Sequence, residues 1–213
     1  MVQTPNILKT LQDQGNKAAD GIAQKVIRKK ALLPQVFKGV SSDNKRLKNA
    51  AAKTAKIISD HQPDMLYPHF DFFAALLAKD DTILKWTALD VIGNLAFVDI
   101  QNKINNRVID KLFALLSDES MITAGHSVDN LGKIAIAKPR FRQPISAALL
   151  KVGSTKRDDE CRNILIGKVI LSLSLYVEYV KDRNKILKFV KKQLNNSRAA
   201  TRNKAAAFLK KFT

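Results

Sequence analysis

The sequence predicts an all-α protein, a right-handed α-α superhelix (solenoid) of about five helix pairs plus an N-terminal capping helix pair. Three observations carry that expectation. Apolar residues recur at helical spacing through most of the chain, and no stretch alternates with period two for long enough to argue a strand. One helical pattern returns every ~40 residues. Glycine and proline are scarce, 8 and 6 among 213 residues, which disfavours a turn-rich β protein.

Taken in order, Thr4-Pro5 reads as an N-cap followed by proline in the first helical turn. A short helix then runs to about Gln14 and stops at Gly15-Asn16. A second is predicted from about Lys17 to Lys30, with Ala19, Ile22, Ala23, Val26 and Ile27 on one side. Its last turn, Arg28-Lys29-Lys30, complements the negative end of a helix. Residues 1–30 form a cap less regular than the later helix pairs.

From Leu33 the helices come in pairs: 33–41 with 44–60, 64–79 with 82–97, 104–116 with 120–136, 140–152 with 158–179, and 182–194 with 197–212. The breaks within pairs fall at Ser42-Asp43, Asp80-Asp81, Ser117-Asp118, Gly153-Ser154 and Asn195-Asn196, residue types that favour turns and helix starts. The clearest helix is Leu84 to Ala96, in which Leu84, Ala88, Val91, Ile92 and Leu95 share one arc. Its order of an apolar residue, Lys85, small Ala88 and apolar Ile92 returns in Leu47-Lys48…Ala51…Ala55. It returns again around Thr123-Ala124, Cys161-Arg162 and Thr201-Arg202. The second position of the pattern falls at 48, 85, 124, 162 and 202, so successive intervals are 37, 39, 38 and 40 residues. The expected organisation is a single domain, 1–213, with repeats at about 31–61, 62–98, 99–137, 138–179 and 180–213.

This pattern after an acidic turn resembles the second helix of HEAT repeats and covers about residues 31 to 212. Armadillo repeats are close relatives, distinguished by a third helix that does not recur here. Tetratricopeptide repeats would need a period of ~34 residues. In HEAT arrays the second helices line the concave surface, so the resemblance places the solvent-facing residues of those helices in a groove.

Composition bounds the remaining choices. With 46% apolar residues the chain can bury a core. One cysteine, Cys161, excludes an internal disulfide framework and fits a reducing compartment. The N-terminal residues lack a signal-peptide pattern, and the most apolar stretch, Val169 to Val180, is too short for a membrane span. The expected location is cytoplasmic. The net charge of +18 is uneven: residues 1–60 carry 12 basic and 4 acidic side chains, residues 61–120 carry 5 and 9, and residues 151–213 carry 16 and 5. Two basic ends flank a mildly acidic middle.

No catalytic or cofactor motif is present. His61, His69 and His126 are far apart, and no ligand spacing suggests a metal. Cys161 aligns with Leu47 and Leu84, which predicts a buried structural thiol. Gly93 and Gly132 occupy one place in two repeats and point to close helix packing. The aromatic cluster around Phe70 and Phe73 reads as core. Trp86 and Asp90, four apart, lie on the side opposite the Leu84 arc. In size, charge and HEAT-like architecture the chain also resembles the alkylpurine DNA glycosylases. That resemblance implies that Trp86 would stack on a damaged nucleotide and Asp90 would help cleave the glycosidic bond. An arginine from a later repeat, Arg162 or Arg202, would complete the site, with no motif selecting either.

Lys181, Lys185, Lys188 and Lys192 recur at +4, +3 and +4 and share one helix face. Lys45, Arg46, Lys48, Lys53 and Lys56 crowd the second helix of the first pair. These stripes read as a solvated face or as a phosphate-contacting patch. The expectation is a non-enzymatic scaffold without metal or cofactor that holds a protein partner in its concave groove. Binding to DNA or RNA is the alternative, and base excision through Asp90 a lesser one.

Overall fold

The computed structural model describes residues 6–213; Thr4-Pro5, the expected start of the first helix, lies outside them. The described residues are helical throughout, with short 3-10 turns and loops between helices and no strand. They fall into two compact units, one ending at Lys103 and one beginning at Ile104.

The first unit opens with α1 (Ile7–Gln14) and α2 (Ala19–Arg28), followed by α3 (Leu33–Val40) and α4 (Lys45–His61). It ends with α5 (Pro63–Leu66), α6 (Phe70–Leu76) and α7 (Thr82–Leu95). Asn6 caps α1, its Oδ1 accepting from the Leu8 and Lys9 amides. The helix expected over 64–79 is broken in two by a 3-10 turn, Tyr67–His69. Pro68 sits in that turn; it has no N–H to give the helical ladder, and its ring crowds the preceding turn. Phe37 of α3 closes on the aromatic cluster, with ring centroids 4.8 Å from His69 and 5.9 Å from Phe73. The cluster is core, with Phe70 and Phe73 buried.

The second unit holds α8 (Asn106–Leu115), α9 (Met121–Ala137), α10 (Arg142–Leu150), α11 (Asp159–Ser174), α12 (Arg183–Lys192) and α13 (Ala199–Phe212). The helix expected over 158–179 ends at Ser174, and Val177–Tyr179 forms a 3-10 turn. There Tyr176 leaves helical geometry and is almost fully buried, its hydroxyl hydrogen-bonded to Ser146 at 3.2 Å. Burial pushes the Tyr176 hydroxyl up to about 12.

Helix starts are set by side-chain caps. Asn44, Asp81, Ser120 and Asp158 accept backbone N–H bonds at the starts of α4, α7, α9 and α11. Each satisfies amides that a helix start leaves without partners. Second helices stack directly on one another: α4 on α7 in the first unit, α9 on α11 and α11 on α13 in the second. First helices stand farther apart. An open groove runs between α3 and α5, and another of about 470 Å³ lies between α8 and α10. Within each unit, therefore, the second helices lie on the inner side of the stack.

Two of the inner contacts share one device. At α9–α11, a Cβ added to Gly132 would lie 2.9 Å from the Ser172 Cβ and 3.2 Å from its Cα. The Ser172 Oγ donates to the Val128 carbonyl at 2.9 Å. At α11–α13, a Cβ on Gly167 would lie 3.0 Å from the Thr201 Oγ1, and that hydroxyl donates to the Asn163 carbonyl at 2.8 Å. In both, the carbonyl belongs to the residue four before the glycine, one helical turn away. A missing side chain lets a hydroxyl reach the second lone pair of a helical carbonyl.

Gly132→Ala should lower stability by about 1–3 kcal/mol through overpacking, despite alanine's advantage of about 1 kcal/mol in helix propensity. Gly21, exposed in α2 with open space around its Cα, supplies the opposite case. Gly21→Ala should raise stability by about 0.5–1 kcal/mol. Urea titration of both variants checks the contrast, and equal effects of one sign would refute the role given to Gly132.

Candidate binding face

The basic residues of the inner helices are, for the most part, committed to their own fold. Lys48 Nζ lies 2.6 Å from the Asp81 carboxylate, with its side chain only 15% exposed. Asp81 also caps α7 through the Ile83 and Leu84 amides, so one carboxylate ties two successive repeats. Burial pushes the Asp81 carboxyl up, but the Lys48 ammonium and the two amides outweigh it and hold the group below its ordinary value. Arg46 donates to the Asp13 carbonyl, Lys53 pairs with Asp20 at 3.6 Å, and Lys56 pairs with Asp60 at 2.6 Å.

The same holds in the second unit. Arg162 donates to Asp159 and, at 3.2 Å, to the Arg157 carbonyl. Arg202 Nη1 donates to the Asn196 and Ser197 carbonyls, both at 2.8 Å, closing the loop that leads into its own helix. Lys168 pairs with Asp129 across α9 and α11, and Arg198 reaches Glu160 at 2.7 Å. Lys48, Arg162 and Arg202, expected as surface contacts, are ties between loops and repeats.

Trp86 and Asp90 do not form an open pair. From Thr87 to Leu95 every residue of α7 is buried, covered within the first unit by α4, α5 and α6. Asp90 is 3% exposed and Trp86 half-buried. The expected arc of Ala88, Val91, Ile92 and Leu95 is buried as read, but the opposite side of the helix is buried with it. The position expected to open toward a groove is closed because α7 lacks the polar outer face of an ordinary surface helix.

Cys161 also departs from expectation. It is half-buried in the first turn of α11. Its thiol is hydrogen-bonded to Asp158, and that bond, followed by desolvation, holds it above its ordinary value. Leu84, its counterpart in α7, is likewise only half-buried. This repeat position lies too near the loop to be reliably core.

The stripe Lys181, Lys185, Lys188 and Lys192 is solvent-exposed, on and just before α12, with Lys185 held by Asp182 at 2.9 Å. It lies on a first helix and so not on the inner side. Among the described residues no group of three His, Cys, Asp or Glu side chains could hold a metal, and no helix is long and apolar enough to cross a membrane.

One inner surface was not singled out by sequence reasoning. A groove of about 370 Å³ runs between α11 and α13, lined by Ile170, Leu171, Ser174, Ala207, Phe208 and Lys211, among others. Leu171 on α11 and Leu175 at its C-cap, four residues on, are each 48% exposed. The signal was available: α11 carries apolar residues outside its core stripe. Val169 to Val180 reads as one apolar block, however, and that masks which leucines stay outside.

No family model matches the chain, and no curated protein matches it. Solved structures do. A designed armadillo repeat protein, YIII(Dq)4CqI, is similar with a TM-score of 0.66 at 19% identity, over 98% of this chain and 91% of that one. Another, solved in complex with the peptide (KR)4, gives 0.65 at 17% identity, covering 97% and 90%. A computationally designed armadillo protein for modular peptide recognition gives 0.66 at 18%, covering 98% and 91%.

The Asp81 tie generates a pH prediction. Its folded value lies below its unfolded value of about 3.9, so its stabilisation is complete above that pH and is lost as pH falls through the folded value. Asp81→Ala should cost about 1–2 kcal/mol at neutral pH. A double-mutant cycle with Lys48→Met should give a coupling of about 1 kcal/mol at neutral pH that weakens as Asp81 is protonated in acid. Urea titrations at pH 7 and at successively lower pH measure it; coupling that stays undiminished once Asp81 is protonated would refute the tie.

Proposed function

With an armadillo/HEAT-like helical-repeat fold as the premise, we propose that this protein is a non-enzymatic scaffold holding a polypeptide segment against its second helices. The observation that carries the reading is the division of labour between helices. Second helices stack closely and are joined by buried hydrogen bonds from Ser172, Thr201 and Asn94, which makes a preorganised surface that costs little to bring into binding geometry. Two designed neighbours support it, one solved with a bound peptide and one described as built for modular peptide recognition. Architecture alone is a weak guide to activity. Asp90, the residue that base excision would need, is buried in α7, which weighs against the enzymatic alternative.

The test is selection of peptides by display against the full chain, followed by hydrogen–deuterium exchange with a selected peptide bound. Protection is expected on α9, α11 and α13, or on α4, and not on α8 or α10. Protection confined to first helices, or failure to select any peptide, would sink the reading. A parallel assay on alkylated duplex DNA is expected to release no base from the wild-type protein.

A further inference from the structure

The last helix pair has a composition unlike the rest of the chain. Residues 183–213 contain ten lysines and arginines and no aspartate or glutamate. Some cations of earlier second helices are balanced by carboxylates one repeat away, as Lys48 is by Asp81 and Lys168 by Asp129. The helix α13 itself contributes no carboxylate. Some of its charge is absorbed by backbone carbonyls, Arg202 onto Asn196 and Ser197, and some by Glu160 through Arg198. Lys204 and Lys211 have no acidic partner among the described residues. Both line the groove between α11 and α13.

The two lysines flank an apolar floor. Lys204 leans toward α11, its Nζ 3.4 Å from where a Gly167 Cβ would stand. Lys211 sits over the Phe212 ring, 4.9 Å from its centroid. Between them lie Ala207 and Phe208, with Ile170 and Leu171 across the groove. Seven residues of helix separate the lysines, roughly 10 Å along the axis. An extended segment with one apolar side chain, flanked two residues away on each side by acidic ones, puts all three on one face. Its acids then lie roughly 13 Å apart, a span that flexible lysine stems reach.

We propose that the α11–α13 groove binds an acidic polypeptide segment, seating an apolar side chain on Leu171 and Phe208 while Lys204 and Lys211 take carboxylates on either side. The proposal rests on the scaffold reading above and adds the chemistry of the occupant. Charge complementarity selects an acidic partner over the basic (KR)4 carried by one designed neighbour. The apolar floor selects a polypeptide over nucleic acid, whose phosphates would gain nothing from Leu171 and Ile170.

The experiment is fluorescence anisotropy of the full-length chain with a labelled twelve-residue peptide repeating glutamate–serine–leucine–serine. The comparison probes are a leucine-to-serine version, the (KR)4 peptide and a twelve-nucleotide thymidine oligonucleotide. Lys204→Glu with Lys211→Glu should weaken binding of the first peptide by at least about tenfold, and the leucine-free peptide should be weakened similarly. Leu171→Ser, which leaves the charges in place, should weaken the first peptide by about three- to tenfold. The control Lys188→Glu with Lys192→Glu, on α12 and away from the groove, should change it by less than about threefold. Circular dichroism of each variant reports that it is folded.

An equal loss in the α12 control would overturn the groove assignment, as would equal affinity for the leucine-free peptide or the oligonucleotide. If (KR)4 binds and the acidic peptide does not, the proposal fails and the scaffold reading stands. If no peptide of either charge binds, both fail.

Discussion

How closely one second helix can approach the next sets the terms for the rest of this structure. At α9–α11 and α11–α13 the approach is permitted by a glycine, and the space it leaves admits a hydroxyl that bonds a backbone carbonyl one turn away. Neither partner suffices alone. A larger residue at Gly132 would force the helices apart, and an apolar residue at Ser172 would forgo the directional bond that fixes their register. At α4–α7 an amide takes the place of the hydroxyl: Asn94 Nδ2 donates to Ser59 Oγ and to Asp60 at 2.8 and 2.7 Å. Close approach leaves little room for water, so each polar group there must find a protein partner.

That constraint explains the fate of the basic residues. Near the start of three second helices a positive residue is tied to a loop: Lys48 to the carboxylate that caps α7, Arg162 and Arg202 to the loops leading into their own helices. Lys48, Arg162 and Arg202 accordingly hold loops together. Their recurrence records a structural requirement, and a formal charge of +18 overstates the charge on offer to a partner. Both basic ends keep a surplus, and residues 183–213 carry theirs with no carboxylate of their own. Crowded neighbours also explain α7. Once Thr87 to Leu95 are covered, polar residues there serve the interior, and Thr87 donates to the Ile83 carbonyl of its own helix.

Much of the architecture was legible in the sequence because period and turn chemistry are local. The pairs 33–41 and 44–60, 120–136 and 197–212 reappear within a few residues as α3, α4, α9 and α13. The helix over 64–79 failed at Pro68, a local signal that the strong apolar pattern around it hid. The candidate sites fared differently. Lys181, Lys188 and Lys192 are exposed as a solvated stripe should be, but the pairing of Lys48 and the burial of Asp90 depend on residues 33 or more positions away, or on neighbouring helices. Helical spacing says which residues share a face and says nothing of how many faces are covered.

The sequence by itself determined the repeat, its period and its all-α character, since these follow from 3.6-residue spacing and from capping residues that act within a few positions. It also determined the charge imbalance of residues 183–213, which is a matter of counting. Only the tertiary structure decided which cations are spent on neighbouring loops, that Asp90 faces the interior, and that Leu171 lies beside Lys204 and Lys211. Those outcomes depend on the distance between stacked helices, and that distance is set by side chains meeting from different repeats.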